Sequence, residues 1–383
     1  MLFRSWLTRN LVVLTIVSLA QDAASELIYP LLPLLVAGVV GSAPLALGVI
    51  EGSAEFAAGF MKLHAGKLSD RFGRKPFVIG GYSLTGVGKV FTVFSLAWPG
   101  IYFGRVLDRI GKGMRGTPRD ALIHDGVADK DLGKAFGFHR AGDNFGAVIG
   151  PLTALLLLFA LNNDVRAVAK WALIPAAISA FFTLFVKDVK PQVKRITFTK
   201  VPLSANLKRT IALLVLIQLT NIPDALLLLR LHDIGFSTSG VVIGYMLYMF
   251  VATLFAYPAG KIADRLHPKN IYLVGLICFA IAYLTLGITN NHLYALVALA
   301  IYGLFPALTD GVGKTWIGRL SDSDSRGYAQ GRFQASMNFA VLAAGIWGGA
   351  LWSGGSREIA LIIAGVGALL GALLVGQYRS DAI

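Results

Sequence analysis

Cysteine, charge and acidic residues are all scarce in this chain. One cysteine among 383 residues excludes an internal disulfide, a CxxC metal site and an iron–sulfur cluster. Cys278 sits in the apolar run IYLVGLICFA and no role is read for it. Charged residues make up 15%, where a soluble domain carries about a quarter, and that shortage excludes a soluble enzyme. HExxH, GxSxG and GxxxxGK[ST] do not occur, so metal hydrolysis, serine acyl transfer and nucleotide-driven work lack their equipment. The chain therefore reads as no enzyme, and no cofactor and no metal are expected. What is abundant is apolar: 55% of the residues are hydrophobic and the mean hydropathy is +0.66. A helix that crosses a bilayer needs about 20 apolar residues, so twelve use about 240 and leave the remainder for short connections.

Charge, glycine and proline break the chain into spans near 10–37, 44–65, 76–97, 100–122, 135–160, 167–186, 209–231, 238–258, 270–289, 293–316, 329–352 and 358–377. The first has no small-residue cleavage site and continues through LIYPLLPLLV, so it reads as a retained helix and not as a leader. Lysine and arginine exceed aspartate and glutamate by 35 to 21, a formal charge of +14. In a soluble protein this would suggest nucleic acid; here the excess sorts by side. Arg4, Arg9, Lys67, Arg71, Arg74, Lys75, Lys130, Lys134, the basic residues from Lys187 to Arg209, Lys261, Arg265, Lys269, Arg319, Arg326 and Arg379 fall on one set of connections. The opposite set holds little beyond Arg166, Lys170 and Arg357. The alternation places the first set and both termini in the cytoplasm of a multi-pass protein. The partner it implies is the lipid bilayer, with no nucleic acid.

The polar stretch 187–208 divides the chain into an N-terminal half, 1–186, and a C-terminal half, 209–383, and the halves resemble each other. GKLSDRFGRKP at 66–76 recurs as GKIADRLHPKN at 260–270, and GKAFGFHRAGDNFGA at 133–147 matches GYAQGRFQASMNFAV at 327–341, both at an offset of 194. Two parallel six-helix repeats are the plan of a secondary transporter. The segment Gly66 to Lys75, with its degenerate copy Gly260 to Lys269, resembles the signature loop of the major facilitator superfamily. Gly142-x3-Gly146-x3-Gly150-Pro151 is similar to that superfamily's antiporter motif, although Thr153-Ala154 stand where a glycine pair is expected. DAASELIYPLLP from Asp22 and LDRIGKGMRGTPRDAL from Leu107 resemble a group of bacterial permeases of that superfamily. The resemblance covers the whole chain and implies an all-α membrane fold of 12 transmembrane helices in two pseudo-symmetric six-helix bundles.

A charge near the bilayer centre costs at least about 2.5–3.5 kcal/mol, so each one faces a cavity or a partner. At about 100° per residue, Arg105, Asp108, Arg109, Lys112, Arg115 and Arg119 lie on one face of the fourth span. Asp22 and Glu26 share a face of the first span with Ser25 and Tyr29, and Glu51 and Glu55 are likewise i,i+4 in the second. His139, Arg140, Asp143 and Asn144 lie in the fifth and Lys89 in the third. Each of these residues is either half of a mutually neutralising pair or part of a site. Two carboxylates one turn apart in a low dielectric repel, which makes Asp22 and Glu26, with Glu51, Glu55 and Asp143, candidates for proton coupling. Arg105, Arg109, Lys112 and Arg140 are candidates for an anionic group on a cargo, with Asn144 beside them.

The C-terminal half is poorer in charge: Asn221, Asp224, Tyr245, Tyr248 and Asn338 are its candidates for cargo contacts. Asp224 and Arg230 lie six apart, too far around a helix for a local pair. Gly66, Asp70, Arg71, Gly73 and Arg74, with Asp264 and Arg265 in the second copy, are expected to hold a gate, glycine supplying close approach and positive φ. Gly146, Gly150 and Pro151 are expected to serve the gating as well, as a smooth, bendable face for helix packing. Pro30 and Pro223 interrupt equivalent helices of the two repeats. The expectation is a monomeric, proton-coupled secondary transporter of small organic molecules in a bacterial inner membrane, working by alternating access, with efflux by antiport favoured by the fifth span. The alternative is uptake or exchange of an anionic metabolite.

Overall fold

The computed structural model describes residues 6–40, 44–188, 203–321 and 326–378, without the side chains of Val40, Lys67, Asp129, Asp264 and Arg326. Most of the 187–208 stretch, from 189 to 202, and the candidate side chain of Asp264 therefore lie outside the described residues. The described residues form helices and no strands. A backbone in hydrocarbon must satisfy its own N–H and C=O groups, and a long apolar run does so as a helix.

In chain order the helices are α1 Arg9–Ile28, α2 Leu32–Val40, α3 Pro44–Phe72, α4 Arg74–Phe94, α5 Trp98–Asp125, α6 Leu132–Ala160, α7 Val165–Lys170, α8 Leu173–Thr183, α9 Ala205–Gln218, α10 Asp224–Asp233, α11 Thr238–Arg265, α12 Pro268–Ile288, α13 His292–Arg319, α14 Arg326–Ser353 and α15 Arg357–Gln377. Among the described residues fifteen α-helices make twelve spans because three spans are broken. A 3₁₀ turn, Tyr29–Leu31, joins α1 to α2 around Pro30. A turn at Trp171 joins α7 to α8, and 219–223 separates α9 from α10, with Pro223 at the N-cap of α10. Nine spans among the described residues are long and apolar enough to cross a membrane by themselves. The other three are α3 and α5, each rich in charged residues, and α9–α10, whose break leaves neither part long enough.

Side chains that accept from the first free N–H groups set several starts: Thr8 for α1, Asp164 for α7, Ser204 for α9, Ser237 for α11 and Asn291 for α13. His267 does the same for α12, accepting from Lys269 N at 3.1 Å. Burial and the nearby Lys269 and Arg319 hold its imidazole below the ordinary 6.5, which keeps it neutral and able to accept. The duplication extends to boundaries: α4 and α5 start and end 194 residues before α12 and α13.

The chain divides into two compact units, one of 1–41 and 53–196, the other of 42–52 and 197–383. The first turns of α3 thus belong with the second unit, where Gly48 and Gly52 lie directly on α14 at Gly345 and Leu342. In the first unit α4 packs on α5, and α1 on α6, with α8 against α1 and α4. In the second, α12 packs on α13 and α15, and α11 on α13.

The segment 66–76 is not a loop. α3 continues through Phe72 and α4 begins at Arg74, so Gly73 alone makes the break, at φ 92° and ψ 147°. That region is essentially closed to residues with a Cβ. Gly66 is helical, and its expected positive φ is absent; what it permits is close approach, since a Cβ there would press on Thr117 Cγ2 at 3.3 Å. In the second copy α11 likewise runs through Arg265, and the turn falls on Leu266 and His267.

Candidate functional site

In the first unit the charges meet because glycines let helices approach. A Cβ on Gly81 or Gly88 of α4, or on Gly104 or Gly111 of α5, would collide with the facing backbone. At that spacing Lys89 Nζ lies 3.2 Å from both carboxylate oxygens of Asp108 and donates to Ser25 Oγ of α1 at 3.0 Å. Arg105 Nη1 approaches the same carboxylate at 3.4 Å and lies over the Tyr29 ring at 5.3 Å. Lys89, Arg105 and Asp108 are 1%, 2% and 5% exposed, a buried cluster in which one carboxylate serves two cations. Arg109 Nε pairs with Glu55 at 3.2 Å.

A second cluster forms where α1, α4, α5 and α6 meet. Ser18 Oγ is shared by Tyr82 at 2.7 Å, Arg119 Nη1 at 2.9 Å and His139 Nε2 at 3.5 Å. Arg119 also bonds Asp120 and approaches Asp143 at 3.8 Å. Arg115 lies over the Tyr82 ring at 4.1 Å. It is buried, and its Nη1 has no hydrogen-bond partner among the described residues. The amide of Gln21 is fully buried and similarly unpartnered.

The proton-coupling candidates are not all brought together. Asp22 is half-buried and makes no hydrogen bond or ion pair among the described residues; its electrostatic neighbours are Asp143, Arg115, Lys112 and Arg119. Glu26 is half-buried one turn beyond. Glu55 is held by Arg109, whereas Glu51 is buried in the α3 segment that belongs to the second unit. Of the anion candidates, Arg105 and Arg109 are in pairs, while Lys112, Arg140 and Asn144 are exposed and form no described hydrogen bond or ion pair.

At the α3–α4 junction Arg74 is buried, pairs with Asp125, approaches Asp70 at 3.7 Å and donates to Ala121 O at 3.0 Å. Arg71 lies over Phe72 at 5.2 Å. In the second copy Arg265 is exposed, and Arg319 takes the capping part, donating to Ala263 O at 2.8 Å and Leu266 O at 3.4 Å. Gly142, Gly146 and Gly150, with the buried Pro151 next in the chain, lie along α1 against Thr15, Leu19 and Ala23.

In the second unit the break before α10 exposes Asp224 to an aromatic cluster. Its two oxygens accept from Tyr248 at 2.8 Å and Tyr302 at 2.6 Å. Tyr283 donates to Ile222 O at 3.1 Å and reaches Asn221 at 3.5 Å, and its ring stacks on Phe279 at 3.9 Å. Tyr245 stands 5.8 Å from Tyr248, ring to ring, and Asn338 is half-buried on α14. Arg230 turns the other way, donating to Leu286 O, Thr289 O, Asn290 and Glu358. Ser18, Tyr82, Tyr283 and Tyr302 were not legible as site residues, because each lies in an apolar or weakly polar run and acquires meaning only through a partner far away in the chain.

Residues 14–246 and 210–381 both match the family described as Major Facilitator Superfamily. The chain belongs to the major facilitator superfamily. It is 31% identical over 385 residues to an uncharacterized MFS-type transporter of Methanocaldococcus jannaschii, a match that covers 96% of this chain and 94% of the relative. Multidrug resistance protein MdtH of Citrobacter koseri is 22% identical over 371 residues, 92% of this chain and 90% of that one. Among solved structures the nucleoside transporter NupG superposes with a TM-score of 0.81 at 13% identity, over 97% of this chain and 100% of that one. A D-xylose-proton symporter gives 0.79 at 17% identity, over 97% of each chain. The superfamily fold has twelve membrane-spanning helices, and its family and fold are those of small-molecule transporters, not of enzymes.

Proposed function

We propose that this major facilitator is a proton-coupled exporter of small organic molecules, acting as a monomer in the inner membrane of a bacterium with both termini in the cytoplasm. The observation that carries the reading is Asp22, a carboxylate on the first span with no hydrogen bond or ion pair among the described residues, in the field of Asp143 and of three cations. Protonation removes its charge, weakens its attraction to Arg115, Lys112 and Arg119, and thereby biases a two-state equilibrium of the transporter. Export is supported by the glycine face of α6 along α1, the segment similar to an antiporter motif, and by the likeness to a multidrug resistance protein. The alternation of basic connections supports the orientation. Gly66 to Lys75 and Gly260 to Lys269 act as gate contacts, since Arg74 ties the α3–α4 junction to the end of α5.

A second reading is uptake or exchange of an anionic metabolite, favoured by Lys112 and Arg140, which have no described ion pair. The purified protein in liposomes containing a pH-sensitive dye separates the two. Drugs, organic acids, phosphate esters and sugars are added without an imposed gradient. Substrate-driven proton movement that Asp22→Asn abolishes is the expected result. Transport that survives Asp22→Asn with unchanged pH dependence would sink the proton role.

A further inference from the structure

Two opposite charges in the first unit face one another without pairing. Arg119 of α5 donates to Ser18 of α1 at 2.9 Å. Seven residues along α1, Ser25 receives Lys89, which is itself held on Asp108 of α5. These ties fix the register of the two helices. Asp22 lies between Ser18 and Ser25, about 6 Å of helix rise from the first, and Lys112 and Arg115 lie between Asp108 and Arg119. The carboxylate therefore stands opposite the two cations, which are among its electrostatic neighbours together with Asp143 and Arg119. Lys112 in turn is surrounded by Arg109, Glu55, Asp22 and Glu26, with Glu55 already held by Arg109.

Neither Asp22 nor Lys112 makes a hydrogen bond or ion pair among the described residues, although both retain exposure. Arg115 is 5% exposed and lies over the Tyr82 ring, and its Nη1 has no hydrogen-bond partner among the described residues. A buried cation without a carboxylate is costly, so this face has anion-binding capacity that its own acids leave unused. A purely cationic guest at Asp22 would leave Lys112 and Arg115 as they are. A purely anionic guest would leave Asp22 unpaired and beside new negative charge.

We propose that the cargo is a zwitterion whose ammonium is taken by Asp22 and whose carboxylate or phosphate is taken by Lys112 and Arg115. The proposal rests on the transport reading above and names its cargo class. Its test uses the purified full chain and three related probes: L-phenylalanine, its methyl ester and its N-acetyl derivative, with the dipeptide phenylalanyl-phenylalanine as a longer zwitterion. Binding is read by thermal shift and confirmed by counterflow in liposomes. At least one zwitterion is expected to bind about tenfold more tightly than both single-charge analogues. Asp22→Asn should erase its advantage over the N-acetyl compound. Lys112→Gln and Arg115→Gln should erase its advantage over the ester, and Arg115→Lys should restore part of it. The melting temperature of each variant without probe separates lost binding from lost folding. Equal binding of all three phenylalanine probes, or variants that weaken every probe alike, would overturn the proposal. Proton movement driven only by singly charged compounds would overturn it too, while leaving the exporter reading in place.

Discussion

The buried cluster of Lys89, Arg105 and Asp108 has two cations and one anion, and that imbalance makes its members unequal. Removing Lys89 leaves Asp108 with Arg105. Removing the carboxylate takes from both Lys89 and Arg105 the acid they share, and breaking a buried pair in this way costs about 3–5 kcal/mol. Asp108→Asn is therefore expected to lower the melting temperature in detergent well below that of Lys89→Met, and Lys89→Met/Asp108→Asn to recover part of the loss. Equal melting of the two single variants would show that Arg105 does not share the carboxylate. The residue types here were legible in the sequence, since Lys89, Arg105 and Asp108 all fall within its apolar spans. Their pairing was not. Nothing in the local spacing says that Lys89 of α4 meets Asp108 of α5, or that Arg115 rests on Tyr82 with no ion pair among the described residues, because those partners are set by how closely two helices approach.

Approach is decided at the scale of the helix, by where a Cβ is missing. On α6 a Cβ at Gly146 would collide with Leu19 O of α1, whereas Gly86 on α4 has nothing within 4 Å. Gly146→Leu is expected to push α6 off α1, costing about 1–3 kcal/mol as an overpacked contact does, and to abolish transport. Gly86→Ala should leave stability unchanged or raise it by up to about 1 kcal/mol, since Ala is the better helix former and meets nothing there. If both substitutions melt alike, the α1–α6 contact is not close-packed. The glycine spacing Gly142-x3-Gly146-x3-Gly150 was visible as a packing face in the sequence, but its partner helix was not. The segment 66–76 teaches the converse lesson. Its charges and two glycines read as a loop, yet the helix continues to Phe72 because only Gly73 adopts a conformation that ends it. Charge marks where a helix leaves the membrane and says little about where the helix stops.

For the whole molecule, the alternation of basic connections makes a sidedness claim that one cysteine makes easy to test. In a Cys278→Ser background, cysteine placed at Asn162, between α6 and α7, and at Lys130, before α6, should react oppositely with a membrane-impermeant maleimide. From outside intact cells Asn162→Cys is expected to label and Lys130→Cys only after permeabilisation; the reverse pattern would invert the topology. By itself the sequence determined that the chain is a twelve-span membrane helix bundle built from two repeats, because apolar run length, loop charge and a 194-residue offset are properties of the chain read in one dimension. It also determined which residue types are present to do chemistry. Only the tertiary structure decided which of them remain available. Arg105 and Arg109 are paired with Asp108 and Glu55, Asp224 is received by tyrosines from α11 and α13, and Asp22 on α1 and Lys112 on α5 form no ion pair among the described residues. The physical reason is distance. Whether a charge is neutralised in a low dielectric depends on a few ångströms between helices, and glycine contacts between segments remote in the chain set those ångströms.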